Sequence, residues 1–294
     1  MQNNESNLIN TNKDGEKVLF YYYDKENQVF SYYSSKKKAA ISIKLEDIHL
    51  SLQKGGNIKT GPEWLLNTLP GDNPITAKGL PLTNMRGSCV GCCDGCEKFC
   101  YAINGARQHH NSVMPSVIKN LILYREDRER FLKELRAELS NWKSEHKVFR
   151  WHASGEIDSP EYLEDMMLIA SEYPDIHFYS YTKRFTWIAN YLDKHNGKFP
   201  ENFCWNLSVW KDNLQQAGFP DKYLKEVQLF AWDDLDDPSL KNVVHCPSVS
   251  YIEGAKKGHL NHTPLPNGKE RNCRNCGLCW KGKMKGKLIA VYNH

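Results

Sequence analysis

Ten cysteines stand in a chain of 294 residues, and they are not scattered. Five lie between Cys89 and Cys100, three between Cys273 and Cys279, and only Cys204 and Cys246 stand alone. The polar, acid-containing start MQNNESNLINTNKDGEK has neither an apolar h-region nor an Arg-rich amphipathic pattern, so no leader is expected and the expected address is the cytoplasm. A reducing compartment directs cysteines to metal or redox chemistry rather than disulfides. The first run, Cys89-Val-Gly-Cys92-Cys93-Asp-Gly-Cys96-Glu-Lys-Phe-Cys100, offers two triplets. Cys89, Cys93 and Cys96 make C-x3-C-x2-C, while Cys89, Cys96 and Cys100 make C-x6-C-x3-C. Gly91 and Gly95 let the backbone approach a cluster. Three thiolates on a [4Fe-4S] cubane leave one iron open to a substrate or to S-adenosylmethionine, and zinc on four of the five is the alternative. The second run, Cys273-Arg-Asn-Cys276-Gly-Leu-Cys279, has compact ferredoxin-like spacing and needs a fourth thiolate, which Cys246 supplies at a strand end. A zinc ribbon is the alternative there too. Cys204, in an apolar strand, reads as a buried small hydrophobe.

Other candidate chemistry lies at strand ends. Phe149-Arg150-Trp151-His152 runs into Ala153-Ser154-Gly155-Glu156-Ile157-Asp158-Ser159-Pro160, a turn with two carboxylates suited to a cationic amine, or serving only as turn and helix cap. Tyr181-Thr182-Lys183-Arg184 places two cations where a carboxylate or phosphate could be gripped. Asn206 and Ser208 fall on one face of their strand by alternation. His109 and His110 read either as ligands or as a solvent-facing pair.

The elements that must position these residues follow from periodicity. Residues 17 to 45 read as two or three short antiparallel strands, and the Gly- and Pro-rich stretch 55 to 77 as a boundary. Then come a short apolar segment at 80 to 85, a long helical pattern at 113 to 142 and a strand at 148 to 152. A helix at 160 to 172, a strand at 176 to 181, a helix at 186 to 195 and strands at 203 to 209, 227 to 232, 243 to 245 and 288 to 292 complete the alternation. The pattern predicts an α/β fold, a partial or full (β/α) barrel, with chemistry at the carboxyl ends of its strands. The expected organisation is an N-terminal β region and linker (1–75), a barrel-like core (76–253) and a basic, cysteine-rich, metal-binding extension (254–294).

Composition sets outer limits. Hydrophobic residues at 40% and charged residues at 25% suit a globular protein, and no apolar run is long enough to span a membrane, so no membrane partner is expected. The net charge of +4 conceals a tail, residues 254 to 294, with nine Lys or Arg against the single Glu270. Lys281, Lys283, Lys285 and Lys287 could contact phosphates while Trp280 stacks on a base, or could simply keep that edge solvated.

Together, Cys89…Cys96-Glu-Lys-Phe-Cys100-Tyr-Ala, Phe149-Arg-Trp-His-Ala-Ser-Gly-Glu-Ile-Asp-Ser159, Tyr181-Thr-Lys-Arg184, Cys246-Pro247 and Cys273…Cys276…Cys279-Trp280 resemble the phage-associated "gene product 88" domain family over about residues 75 to 294. That family in turn resembles radical S-adenosylmethionine proteins. The resemblance implies a phage-type iron–sulfur protein with its open cluster on Cys89, Cys96 and Cys100, and with Ser154, Gly155 and Glu156 where such enzymes hold the methionine amine. C-x6-C-x3-C departs from the usual C-x3-C-x2-C. Three functions follow as expectations: a radical S-adenosylmethionine-type enzyme served by a reductant protein, a zinc- or cluster-stabilised nucleic-acid-binding module, or an electron-transfer protein.

Overall fold

The computed structural model describes residues 9–11, 17–19, 21–34, 37–54, 63–74, 82–98, 100, 102, 113–143, 145–210, 218–232, 243–247, 249–252, 257–260 and 264–291. The chain divides into two compact units, neither continuous in sequence. The first comprises Met1–Ser51, Asn67–Asn141 and Ser154–Asp158, and the second Leu52–Leu66, Trp142–Ala153 and Ser159–His294.

In the first unit, β1 (Ile9–Thr11) pairs antiparallel with β2 (Lys17–Leu19), and β3 (Tyr21–Asp24), β4 (Val29–Ser34) and β5 (Ala39–Lys44) form a three-stranded antiparallel sheet. Tyr21, Tyr23 and Phe30 bury the apolar face, and the β3–β4 turn is held by Asp24, which accepts from the Asn27 backbone N–H at 3.0 Å. After the short α1 (Asp94–Lys98), the expected long helix is two: α2 (Val113–Glu126) and α3 (Arg128–Ser140). Asp127 separates them by leaving helical geometry and capping α3, its carboxylate accepting from the Arg130 N–H at 3.1 Å. Ile118, Leu121, Ile122, Phe131 and Leu135 form the buried stripe of the pair.

The second unit is built on an eight-stranded sheet. Its strands are β6 (Gln53–Lys54), β7 (Trp64–Leu66), β8 (Val148–Trp151), β9 (His177–Thr182), β10 (Phe203–Val209), β11 (Gln228–Trp232), β12 (Val243–His245) and, after the separate hairpin β13 (Val249–Ile252) and β14 (Lys257–Leu260), β15 (Leu288–Val291). The order is β12-β15-β11-β10-β9-β8-β7-β6, every neighbour parallel except β6 and β7. Helices α4 (Pro160–Glu172) and α5 (Phe185–Lys194) make the crossovers from β8 to β9 and from β9 to β10. Ser159 caps α4 by accepting from the Tyr162 N–H at 3.2 Å, with Pro160 in the first turn. All seven residues of β10 are buried, as in a parallel strand covered on both faces. The last piece, α6 (Cys273–Cys276), precedes β15.

The α/β class and the small N-terminal antiparallel region are as expected. Of the expected partial or full barrel, closure is not shown: among the described residues no pairing joins β6 to β12. No strand forms at 82–85, where Thr83 makes one isolated bridge with Tyr21, and Leu80 and Pro81 lie outside the described residues. The strand that precedes the first cysteine run is β7, inside the stretch 55 to 77 that composition marks as a linker. Its three apolar residues are too few to register against the surrounding Gly and Pro.

Candidate functional site

The seat of the first cysteine run, in the first unit, is a knot of buried polar groups. Ser88 Oγ donates to the Leu69 carbonyl (2.9 Å), lies 3.0 Å from Thr68 Oγ1 and accepts from the Glu156 N–H (2.9 Å). Thr68 N–H donates to the Ser154 carbonyl (3.1 Å), and Ser154 N–H donates to Asn67 Oδ1 (2.8 Å). Gly155 has a φ of +86°, and a Cβ there would stand 2.1 Å from Thr68 Oγ1 and 2.8 Å from the Thr68 carbonyl. The turn can approach Thr68 only as glycine. Glu156 is buried, and its Oε1 accepts from the Ile157 N–H at 2.8 Å.

Two Arg–carboxylate pairs brace this seat. Arg125 grips Asp158 with Nε (2.9 Å) and Nη2 (2.5 Å), and its guanidinium also donates to the carbonyls of Arg86 (2.6 Å) and Gly87 (3.2 Å). Arg86 in turn pairs with Asp72, whose Oδ2 accepts from the Gly91 N–H at 3.2 Å. Asp158 therefore acts on the cysteine loop through Arg125, a partner that sequence reading missed. A single cation 33 residues away in sequence leaves no local signal.

Cys89 begins the run against this support. Its N–H donates to the Gly71 carbonyl at 3.0 Å. Burial pushes its thiol well above the ordinary range, and the neighbouring Glu156, Cys96 and Cys100 push the same way, while a hydrogen bond from the Gly71 N–H opposes them. The groups that act on Cys89 thus include both partners of the C-x6-C-x3-C set and the expected carboxylate.

The second set is in the second unit. Cys246 follows β12, its N–H donating to the Ala290 carbonyl of β15 (2.8 Å). Asn272 caps α6 by accepting from the Asn275 N–H (2.9 Å), and Gly277 turns the chain at φ +71°. Burial raises the Cys276 thiol, against a hydrogen bond from the Leu278 N–H. Burial also raises Cys279 well above its ordinary value; the Tyr181 hydroxyl opposes this by hydrogen bonding, while Cys273, Cys246 and Cys276 add to it. All four expected thiols therefore interact.

Asn206 and Gln228 fix this segment to the sheet. Asn206 Nδ2 donates to the carbonyls of Cys279 (3.0 Å) and Ser180 (3.2 Å), and Gln228 Nε2 donates to Asn206 Oδ1 (2.9 Å) while its Oε1 accepts from the Met284 N–H (2.8 Å). Trp280 is 7% exposed, packs with Val148, Tyr179 and Cys204, and donates from Nε1 to the Cys273 carbonyl (3.1 Å). It is a core residue, which removes the reading in which it stacks on a base. Cys204 is the buried hydrophobe expected, its thiol pushed up to about 12 by burial. Lys281, Lys283, Lys285 and Lys287 are exposed.

Among the described residues, no group of three or more His, Cys, Asp or Glu side chains is arranged to hold a single metal ion. Lys183 and Arg184 follow β9 in the second unit, whereas Ser154, Gly155 and Glu156 belong to the first. The Lys183 ammonium lies 5.9 Å from the Trp210 ring centre and the Arg184 guanidinium 4.6 Å from that of Trp187. His109 and His110 lie outside the described residues. Sequence reading also missed Glu63, which accepts from the Tyr179 hydroxyl at 2.5 Å, and gave no role to Arg150, whose guanidinium carbon lies 5.8 and 4.9 Å from the ring centres of Tyr179 and Tyr181.

No helix among the described residues is long and apolar enough to cross a membrane. No solved structure matches the chain. Two curated phage proteins do: the Gene 88 protein of Mycobacterium phage L5 is 27% identical over 245 residues, covering 80% of this chain and 90% of that protein. The Gene 88 protein of Mycobacterium phage D29 is 26% identical over 247 residues with the same coverage. The "Gene product 88" family model matches residues 49–282, beginning before β7 and so taking in the first parallel strand and both cysteine runs, and on that match the chain belongs to the Gene product 88 family.

Proposed function

We propose that this chain is an iron–sulfur protein of radical S-adenosylmethionine type, acting on a substrate yet to be identified. Cys89, Cys96 and Cys100 would hold one [4Fe-4S] cluster, and Cys246, Cys273, Cys276 and Cys279 would hold a second. The observation that carries this reading is the seat of the first run: Ser88 Oγ accepts from the Glu156 N–H at 2.9 Å, and the next residue, Cys89, is held by its own N–H on the Gly71 carbonyl at 3.0 Å, so the buried Glu156 is fixed beside the start of the run. Thiol-only donor sets are what an iron–sulfur cluster takes as ligands. When bound, such a cluster supplies one-electron chemistry that protein side chains lack.

The chain's own residues have definite tasks in this reading. The Gly71 N–H on Cys89 stabilises the thiolate that a cluster requires. The Thr68–Ser88 knot fixes the Ser154-Gly155-Glu156 turn, and the Glu156 carboxylate would receive the cationic amine of S-adenosylmethionine. Lys183 and Arg184 supply positive charge for a carboxylate or phosphate. A reducing compartment such as the cytoplasm and a reductant protein complete the requirements. The test is equilibrium binding of S-adenosylmethionine to anaerobic protein. Glu156→Gln should weaken it about tenfold, as loss of a charge-assisted hydrogen bond does, and equal binding by both proteins, or by neither, contradicts the assignment.

The exposed Lys281, Lys283, Lys285 and Lys287 favour a second reading, a nucleic-acid-binding module in which both cysteine sets are structural. It is distinguished by salt-dependent affinity for nucleic acid together with indifference to S-adenosylmethionine.

A further inference from the structure

In the second unit, the two segments that lead into β11 and β15 carry cations that the proposed cluster chemistry does not use. They are the short 3₁₀ helix Asp221–Glu226 and residues 281–287. The two strands are parallel, with Leu229 beside Leu288, so both segments enter at one edge of the sheet, opposite the carboxyl ends of its strands. There they are tied together: the Gly286 N–H donates to the Val227 carbonyl (2.8 Å) and the Leu229 N–H to the Lys287 carbonyl (3.0 Å). Met284, 9% exposed, turns inward, and its N–H donates to Gln228 Oε1 at 2.8 Å. Gly282 and Gly286, at φ +62° and +75°, supply the left-handed turns on either side of it. With glycine and an inward methionine alternating between them, Lys283, Lys285 and Lys287 are left exposed, as is Lys225 on the neighbouring segment. Six lysines stand on the two segments against Asp221 and Glu226. Among the described residues no carboxylate lies within ion-pair distance of Lys225, Lys283, Lys285 or Lys287, whereas Lys222 is held by Asp193 at 2.8 Å.

We propose that this edge of the sheet is a docking face for the phosphate backbone of a nucleic-acid duplex, bound without regard to base sequence. The face rests on the nucleic-acid part of the second reading above and is independent of what the cysteine sets bind. Its partner follows from what it has and what it lacks. Protein partners are gripped through aromatic or Arg anchors, and lysine is depleted where they meet. Here every cation is a lysine, Trp280 lies in the core, and the exposed large hydrophobic residue among those described, Leu168, is on α4. Single strands are held largely by stacking their bases on aromatic rings, and this face exposes none. What is left is contact with phosphates, which positions a duplex and carries no sequence information. A backbone already pinned to the sheet holds the four lysines in place, so each phosphate they neutralise releases a counterion.

The experiment titrates the full chain into a fluorescently labelled DNA duplex of arbitrary sequence and follows anisotropy from about 50 to about 200 mM salt. Four phosphate contacts predict a slope of about −3.6 in log K against log salt, a loss of about 150-fold across that range. Lys225→Gln and Lys285→Gln should each make the slope shallower by about 0.9. Lys44→Gln, which removes an exposed lysine of the first unit, should leave it unmoved. These are surface substitutions and leave folding intact. Duplex binding with the parent slope in both Lys225→Gln and Lys285→Gln overturns the face and leaves nucleic-acid binding to another surface. No duplex binding at about 50 mM salt overturns the face and the nucleic-acid reading together. Tighter binding of a single strand than of the duplex contradicts a backbone-only contact and overturns the proposal. Poly-glutamate that displaces the duplex as well as unlabelled DNA does would overturn it in favour of an acidic protein partner.

Discussion

At Gly155 the turn passes so close to Thr68 that one methyl group decides whether the first cysteine seat can form. The left-handed φ and the 2.1 Å clash act together in Gly155→Ala. A loss of about 2–4 kcal/mol is expected from overpacking plus backbone strain, measured by urea denaturation. Ser88→Ala leaves the Glu156 N–H without its acceptor and should cost about 1–3 kcal/mol. His152 gives a pH dependence. It is 4% exposed, sits at φ +56° just after β8, and shares a hydrogen bond between Nε2 and the Tyr162 hydroxyl at 3.0 Å. Burial first, and Arg150 second, hold its pKa down to about 3 against an ordinary 6.5. Between those values the unfolded chain binds a proton that the folded chain refuses, so stability falls as pH drops from 6.5 toward 3, by up to about 1.4 kcal/mol per pH unit. Replacing it in His152→Gln should flatten that slope between pH 6 and 4, and an unchanged slope would assign the acid sensitivity elsewhere.

At the scale of elements, the C-terminal segment is joined to the sheet by two side chains as well as by β15. Asn206 and Gln228 are fully buried, and each bonds both the other and the backbone of the segment that carries Cys279 and Met284. Removing one leaves the rest of a buried network unsatisfied. Gln228→Leu should therefore lower hydrogen-exchange protection across residues 279–291 while β8 and β9 keep theirs, and uniform protection would mean that strand pairing alone holds the segment. The alternation of β8, α4, β9, α5 and β10 was legible because short apolar strand runs alternate there with helical patterns, and the cysteine spacing marked both runs as candidates. What was illegible depends on distance in sequence. The strand β7 is three residues among Gly and Pro, the break at Asp127 is a cap inside a continuous helical pattern, and Arg125 and Glu63 reach partners far along the chain. Trp280 misled because an aromatic residue beside lysines looks the same whether it faces solvent or the core.

For the whole molecule, each unit carries one cysteine set with its own support: the Thr68–Ser88–Glu156 knot in the first, and the Asn206–Gln228 clamp in the second. Such separate construction means that losing one set should leave the other intact. The most direct test is the iron, acid-labile sulfide and zinc content of anaerobically purified protein. It is measured beside one variant with Cys89, Cys96 and Cys100 changed to Ala and another with Cys246, Cys273, Cys276 and Cys279 changed to Ala. Two cubanes predict about eight irons with matching sulfide in the parent and about four in each variant. One or two zincs with no sulfide would contradict the account and leave a zinc-stabilised protein of the Gene product 88 family.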